Sequence, residues 1–352
     1  MDRIGALPDE LLRLILSFLA TKDAVQSSVL SRRWRSLYRT VMCLDLSDGM
    51  HSSKKKFREF ACRVLMPRYM DRIEKVRLLC DCGTKFDATY VTEWITGCVC
   101  YGVQVLELLF SDCKANMLPH CLFNSQTLVV LKLQFSAHFC QLLRIPPSVS
   151  LSNLKQLHLT GVRLPDNDSF SRLISGCPLL EDLRFVDCRF WEDEEAYYIS
   201  SPSLRKFTVE KWVPSRCMSP DILNDDDSEV PVMTFDAKSL VYFKHHGNMI
   251  EDYCFENVNA FVEVDLHDKV CTWGFPRALL TEVSSIQVLR LGGRILESLV
   301  DLICSGNSWL KLPMFPSLSR LHLSFSVCGG WELLPTLLIS SPKLKTLVIS
   351  EL

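Results

Sequence analysis

Sixteen cysteines and eight histidines among 352 residues prompt a search for metal ligation or nucleophilic catalysis. The tightest grouping is Cys80-Asp81-Cys82 with Cys98-Val99-Cys100. A zinc ribbon commonly places two residues between paired thiolates; here there is one, and helical positions two apart point to different faces. Buried or repeat-position cysteine is the better reading, so neither a metal nor a cofactor is expected. No Cys/His pairing forms a recognisable nucleophile signature. His245 and His246 would face opposite ways on a strand, and Gly292-Gly293 lacks the Lys and Ser/Thr that follow in a phosphate loop. The acidic runs Glu192-Asp193-Glu194-Glu195 and Asp225-Asp226-Asp227-Ser228-Glu229 read as solvated loops, and Lys54-Lys55-Lys56 as a solvated linker. The residues therefore predict a non-catalytic chain with no catalytic site.

The remaining information lies in elements that present surfaces. A helical wheel from Asp9 to Ala20 gathers Asp9, Glu10, Arg13 and Ser17 on one stripe. Leu11, Leu12, Leu14, Ile15, Leu16, Phe18 and Leu19 fill an arc of roughly 200°, about twice that of an ordinary surface helix. Such a helix is covered on two sides. Pro8 suits the first turn, and Asp9 and Glu10 suit the positive end of the dipole. Asp23 is placed to cap a second helix through Ser28, and Ser31 a third through Tyr38. Three short helices are too few to supply a whole core, so one wall must come from elsewhere.

These residues closely resemble an F-box, the module that docks on the Skp-type adaptor of cullin-RING ubiquitin ligases. The motif elements are Leu7-Pro8, Glu10-Leu11-Leu12, Ile15-Leu16-Ser17 and Leu30-Ser31-Arg32-Arg33-Trp34. Ala20 and Tyr38 stand where plant relatives often carry proline and tryptophan. The resemblance implies that Leu7, Pro8, Leu11, Leu12, Ile15, Leu30 and Trp34 contact the adaptor. Cullin and the RING subunit would join through it.

Composition excludes other classes. With 48% hydrophobic residues the chain has ample material for a core, and a net charge of −2 does not suit a general nucleic-acid or membrane-surface binder. No stretch reads as a membrane span or secretion signal, so reduced thiols and a nuclear or cytoplasmic location are expected.

Beyond a polar, locally basic segment, expected over 48–72 as a linker and entry to the solenoid, the pattern apolar-x-x-apolar-x-apolar recurs. It starts at Ile73, Val103, Leu128, Leu154, Leu180, Leu204, Leu240, Phe261, Ile286, Leu318 and Leu344. Most intervals are 21 to 26 residues, with longer ones of 30, 36 and 32 before Val103, Leu240 and Leu318. Short alternation makes strands with one buried face, and no single unit can bury it alone; stacking solves the problem. The units from Leu154 and Leu180 resemble leucine-rich repeats, with Cys188 at that family's asparagine-or-cysteine position. Leu118-Pro119, Cys177-Pro178-Leu179-Leu180-Glu181 and Ser201-Pro202-Ser203-Leu204 narrow the resemblance to plant F-box/leucine-rich-repeat proteins. Phe315-Pro316-Ser317-Leu318 with Trp331 to Pro335 resembles the start of an FBD region, which is expected to be truncated after Leu352.

The expected fold is therefore mixed α/β. A three-helix F-box (1–47) precedes a curved leucine-rich-repeat solenoid (73–352, with 315–352 the FBD-like start) whose parallel strands line the concave face. The residue between the last two apolar positions of each motif points onto that face: Arg77, Glu107, Lys132, His158, Arg184, Thr208, Lys244, Asp265, Arg290, His322 and Val348. The basic members, with His158, suggest recognition of an acidic or phosphorylated protein target, because arginine holds carboxylate or phosphate bidentately. The resemblance implies a substrate-recognition subunit of a Skp–cullin–F-box ubiquitin ligase. A ligand-sensing receptor and an adaptor-binding scaffold without ligase activity are the alternatives.

Overall fold

Period-two alternation of apolar side chains builds one long parallel sheet. The computed structural model describes residues 4–38, 42–51, 53–65, 73–80, 88–111, 117–136, 141–189, 196–212, 232–247, 253–258, 261–268, 285–293, 295–296, 299–300, 312–325 and 331–351. Cys82 and both acidic runs lie outside these residues. The short helices α1 (Asp9–Ser17), α2 (Thr21–Gln26) and α3 (Arg32–Leu37) come first. Then follow β1 (Cys43–Ser47), α4 (Lys54–Leu65), β2 (Lys75–Cys80), α5 (Ala88–Cys100), β3 (Val105–Phe110), β4 (Val130–Phe135), β5 (Gln141–Leu142), β6 (Gln156–Thr160), β7 (Val162–Arg163), α6 (Asn167–Ser175) and β8 (Asp182–Val186). The chain continues through β9 (Ala196–Ser200), β10 (Lys206–Trp212), β11 (Val232–Asp236), β12 (Tyr242–Gly247), β13 (Tyr253–Glu256), β14 (Glu263–Asp268), β15 (Val288–Gly293), β16 (Arg320–Phe325) and β17 (Thr346–Glu351).

The sheet has twelve strands in the order β1-β2-β3-β4-β6-β8-β10-β12-β14-β15-β16-β17. Each of the eleven recurrences found in the sequence starts a strand two residues after its first apolar residue. The boundaries expected at 1–47 and 48–72 do not hold. Cys43–Ser47, assigned to the F-box, is the first strand of the sheet, in register with β2. The segment expected as linker and entry to the solenoid contains α4, whose Phe57, Ala61, Val64 and Leu65 are buried at spacings of four, three and one. That period places them on one face, so the lysine run is the solvated start of a repeat helix.

The return path changes character along the array. Phe170, Leu173 and Ile174, three and four apart, bury one face of α6. In the next units alternating Tyr197/Ile199, Met233/Phe235 and Tyr253/Phe255 instead form a second parallel sheet, β13-β11-β9. Aromatic side chains fill the space between the two sheets. Phe207 and Phe243 stack at 5.7 Å, and Phe235 meets Phe207 edge-on at 4.7 Å. Pairs of this kind add about 0.5–1.5 kcal/mol each beyond burial. His245 points into this layer and is hydrogen-bonded to the Tyr253 hydroxyl, while His246 lies on the opposite face, as strand alternation requires.

Gly161 ends β6 with φ +66°, and a Cβ there would collide with the Phe135 carbonyl oxygen. Gly161→Ala is expected to lower unfolding stability by about 1–3 kcal/mol. Gly49→Ala, where the nearest atom to a new Cβ is 3.7 Å away, should change it little. Urea unfolding of the two variants checks the contrast.

Candidate functional site

The F-box helices enclose a small core of Leu12, Leu16, Ala24, Trp34 and Leu37, separate from the core of the repeats. Leu12 and Leu16, four apart on α1, face inward and are inaccessible. Leu11, Leu14, Ile15 and Phe18 occupy the other side of the helix, with Phe18 80% exposed. Beyond α2, Val29 and Leu30 are 84% and 70% exposed. The wide apolar arc thus resolves into an inner face that closes the bundle and an outer face that no described residue covers. Helix α1 ends at Ser17, short of the expected Ala20, and Ala20 rather than Asp23 precedes the first residue of α2. Ser31 caps α3 as expected, accepting from the Trp34 N–H at 3.3 Å.

Of the seven adaptor residues implied by the motif, Pro8, Leu11, Ile15 and Leu30 are exposed, and Leu7 is half-buried against the small core. Leu12 and Trp34 are buried inside the bundle. Leu14, Phe18 and Val29 extend the outer face. Arg33, a variable position of the motif, fastens it together. Its guanidinium donates to the Gly5 carbonyl at 2.5 Å, to the Leu7 carbonyl at 2.6 Å and to Asp9 Oδ1 at 2.6 and 2.8 Å. The Leu7-Pro8 turn is thereby pinned to α3. Only the acid–base spacing between Asp9 and Arg33 hints at this in the sequence.

The bundle is joined to the array through α2. Buried Thr21 accepts, through Oγ1, the Asp45 N–H of β1 at 2.6 Å, and Val25 packs on the repeat core.

Across the sheet the central residues align strand by strand: Asp45, Arg77, Glu107, Lys132, His158 and Arg184, continuing through Thr208, Lys244, Asp265, Arg290, His322 and Val348. This row is not the open basic track that the sequence suggests. Arg77 lies between Asp45 at 3.5 Å and Glu107 at 3.9 Å, and Lys132 is 3.1 Å from Glu107. His158 is 3.6 Å from Asp182. Arg184 and Lys244 both grip Glu210 at 2.8 Å, and Arg290 pairs with Glu263. All six proposed contacts for an acidic target have an acid of this chain beside them. The reason is register: Asp182, Glu210 and Glu263 stand two residues from the central position on the same or adjacent strands.

Burial raises the Glu107 and Glu210 carboxyls, but paired hydrogen bonds and charges outweigh it and leave both below the usual range. The partners are Lys132 and Lys75 for Glu107, and Lys244 and Arg184 for Glu210.

Three helices with an uncovered apolar face, joined to parallel repeats that present a polar face, define the F-box/leucine-rich-repeat class of protein. The F-box domain model matches residues 4–42, and a model described as "FBD-associated F-box protein At5g56370, LRR repeats" matches residues 91–226. The chain is similar to F-box/LRR-repeat protein At3g59210 of Arabidopsis thaliana, 31% identical over 100% of this chain and 73% of that protein. Similarity is comparable to F-box/LRR-repeat protein At3g60040 (31%, covering 100% and 79%) and F-box/FBD/LRR-repeat protein At4g26340 (31%, covering 100% and 77%), both also from Arabidopsis thaliana. This chain belongs to the plant F-box/LRR-repeat family, of the F-box/FBD/LRR type.

The carboxylate clamps imply a pH response. A carboxyl titrating at about 4.3 when unfolded, and lower when folded, stabilises fully above about pH 5 and loses that contribution as pH falls through the folded value. A Glu107→Gln/Glu210→Gln variant should therefore be less stable than the parent near neutrality and lose less on acidification. Thermal midpoints between about pH 7 and pH 3 test this; parallel curves would refute it.

Proposed function

We propose that this protein is a non-catalytic substrate receptor of a Skp–cullin–F-box ubiquitin ligase. The observation that carries the reading is the set of large apolar side chains Leu11, Leu14, Ile15, Phe18, Val29 and Leu30 on the F-box helices, which remain exposed among the described residues while Leu12, Leu16, Ala24, Trp34 and Leu37 form a buried core. A patch of this kind marks an interface. Covering each large apolar side chain contributes about 1.5–3 kcal/mol, so a handful of them can supply a stable complex even after the cost of association.

In this reading the Skp-type adaptor covers the outer face and brings cullin and the RING subunit with it. The polar face of the sheet holds a protein target, and the bound conjugating enzyme modifies the target's lysine. The chain contributes proximity, which raises effective concentration without any reacting group of its own. The ion-paired row favours a target of mixed charge, whose acids compete for Lys132, Arg184 and Lys244 while its bases meet Glu107 and Glu210. The assembly would act in the nucleus or cytoplasm.

A Leu11→Asp/Leu30→Asp variant should fold normally, because both side chains are exposed, yet bind purified adaptor at least about a hundredfold more weakly. Leu12→Ala should act differently, loosening the bundle by about 2–5 kcal/mol through a cavity. Calorimetric binding together with thermal unfolding separates the two effects. Unchanged affinity in the double variant would sink the docking assignment, and reconstitution with cullin and RING subunit then tests for ubiquitin transfer.

A further inference from the structure

The twelve-stranded sheet has two outer edges, β1 and β17, and they differ in what meets them. At β1 the F-box reaches the strand, where Thr21 of α2 accepts the Asp45 N–H. Strand β17 pairs with β16 on one side, and no described strand lies on the other. Leu347 and Ile349 stand in register with Leu321 and Leu323, which are buried, yet they are 38% and 41% exposed. Val348, in register with His322 on the opposite face, is exposed as well.

Edge strands are ordinarily guarded against pairing by a charge, a proline or a bulge. From Thr346 to Ser350 this strand reads Thr-Leu-Val-Ile-Ser, rich in β-branched side chains and without charge, proline or glycine, and its register with β16 is unbroken. The Thr346 N–H donates to the Ser319 carbonyl of the preceding repeat. Alternation along the strand therefore turns the N–H and C=O groups of Leu347 and Ile349 toward the open side. An apolar strand with outward backbone groups is a template for another strand.

We propose that β17 of one chain pairs antiparallel with β17 of a second copy, about a two-fold axis through Val348. The strand is complementary to its own inversion. In this register Leu347 of each copy meets Ile349 of the other, and the two exchange both N–H···O bonds because both carry their backbone groups outward. Thr346 falls opposite Ser350, and Lys345 opposite Glu351, residues of opposite charge, at each end of the ladder. That charge match singles out a second copy as the occupant. The pairing joins two twelve-stranded sheets at the edge away from the F-box, so the outer face of α1 in each copy stays uncovered and the dimer does not depend on the ligase reading.

Sedimentation velocity of the full chain from about 0.1 to 100 µM tests the pairing. A reversible step from monomer to dimer that stops at two copies is expected. The dimer should persist in Leu11→Asp/Leu30→Asp, which separates it from association through the F-box. Val348→Lys sets like charges together on the axis and should weaken it about tenfold or more. Lys345→Glu should weaken it about threefold or more, and adding Glu351→Lys should restore it, since the two positions meet only between copies. Circular dichroism checks that the variants fold; should Val348→Lys not fold, the charge exchange decides. A chain that stays monomeric at about 100 µM, larger assemblies in place of a dimer, loss of the dimer in the F-box variant, or a charge exchange without loss and recovery would each overturn the proposal.

Discussion

Every functional surface of this molecule depends on the parallel backbone ladder that ties each repeat strand to the next. A lone strand of this kind would expose its Leu and Phe side chains and half its amide groups. Joined in register, twelve strands share one core and satisfy one another's hydrogen bonds. The same register that buries Leu157, Leu183 and Phe207 in line also sets His158, Arg184 and Thr208 in line on the opposite face. Packing and presentation are two sides of a single constraint.

The ladder also explains why charge is paired on that face. Adjacent strands bring side chains within a few ångströms, so a row of cations alone would repel itself. Glu107, beside Lys75, Arg77 and Lys132, and Glu210, between Arg184 and Lys244, relieve this repulsion. Any charged group brought to that face would have to displace these internal contacts. The F-box follows the opposite strategy. Its exposed face is apolar, its helices are held by a small buried core and by the Arg33 clasp, and it meets the sheet through Thr21 and Val25.

Much of this organisation was legible in the amino-acid pattern, because alternation and spacing are local properties. The strand starts could be read from Ile73 to Leu344, as could the double-sided apolar character of α1. What escaped depends on tertiary partners. Val41-x-x-Leu44-x-Leu46 matches the repeat motif, but its nearness to the F-box hid β1. The second sheet was obscured because Tyr197/Ile199 and Tyr253/Phe255 alternate over only four or five residues, too briefly to stand out from loops. On α1, composition shows that two faces are apolar but not which faces inward, so Leu12 was grouped with Leu11 although only Leu11 is outward. Likewise Glu210 lies 26 residues from Arg184 and 34 from Lys244, and nothing short of strand register brings the three together.

The long intervals before Leu240 and Leu318 carry a further consequence. Strands β10 and β12, and β15 and β16, keep their central residues opposite each other across connections 36 and 32 residues in period. Added length between these strands therefore leaves the presented row in register. In evolutionary terms the length between strands and the residues presented on them are separate characters: insertions can change one while point substitutions change the other, and neither history has to wait for the other to be repaired.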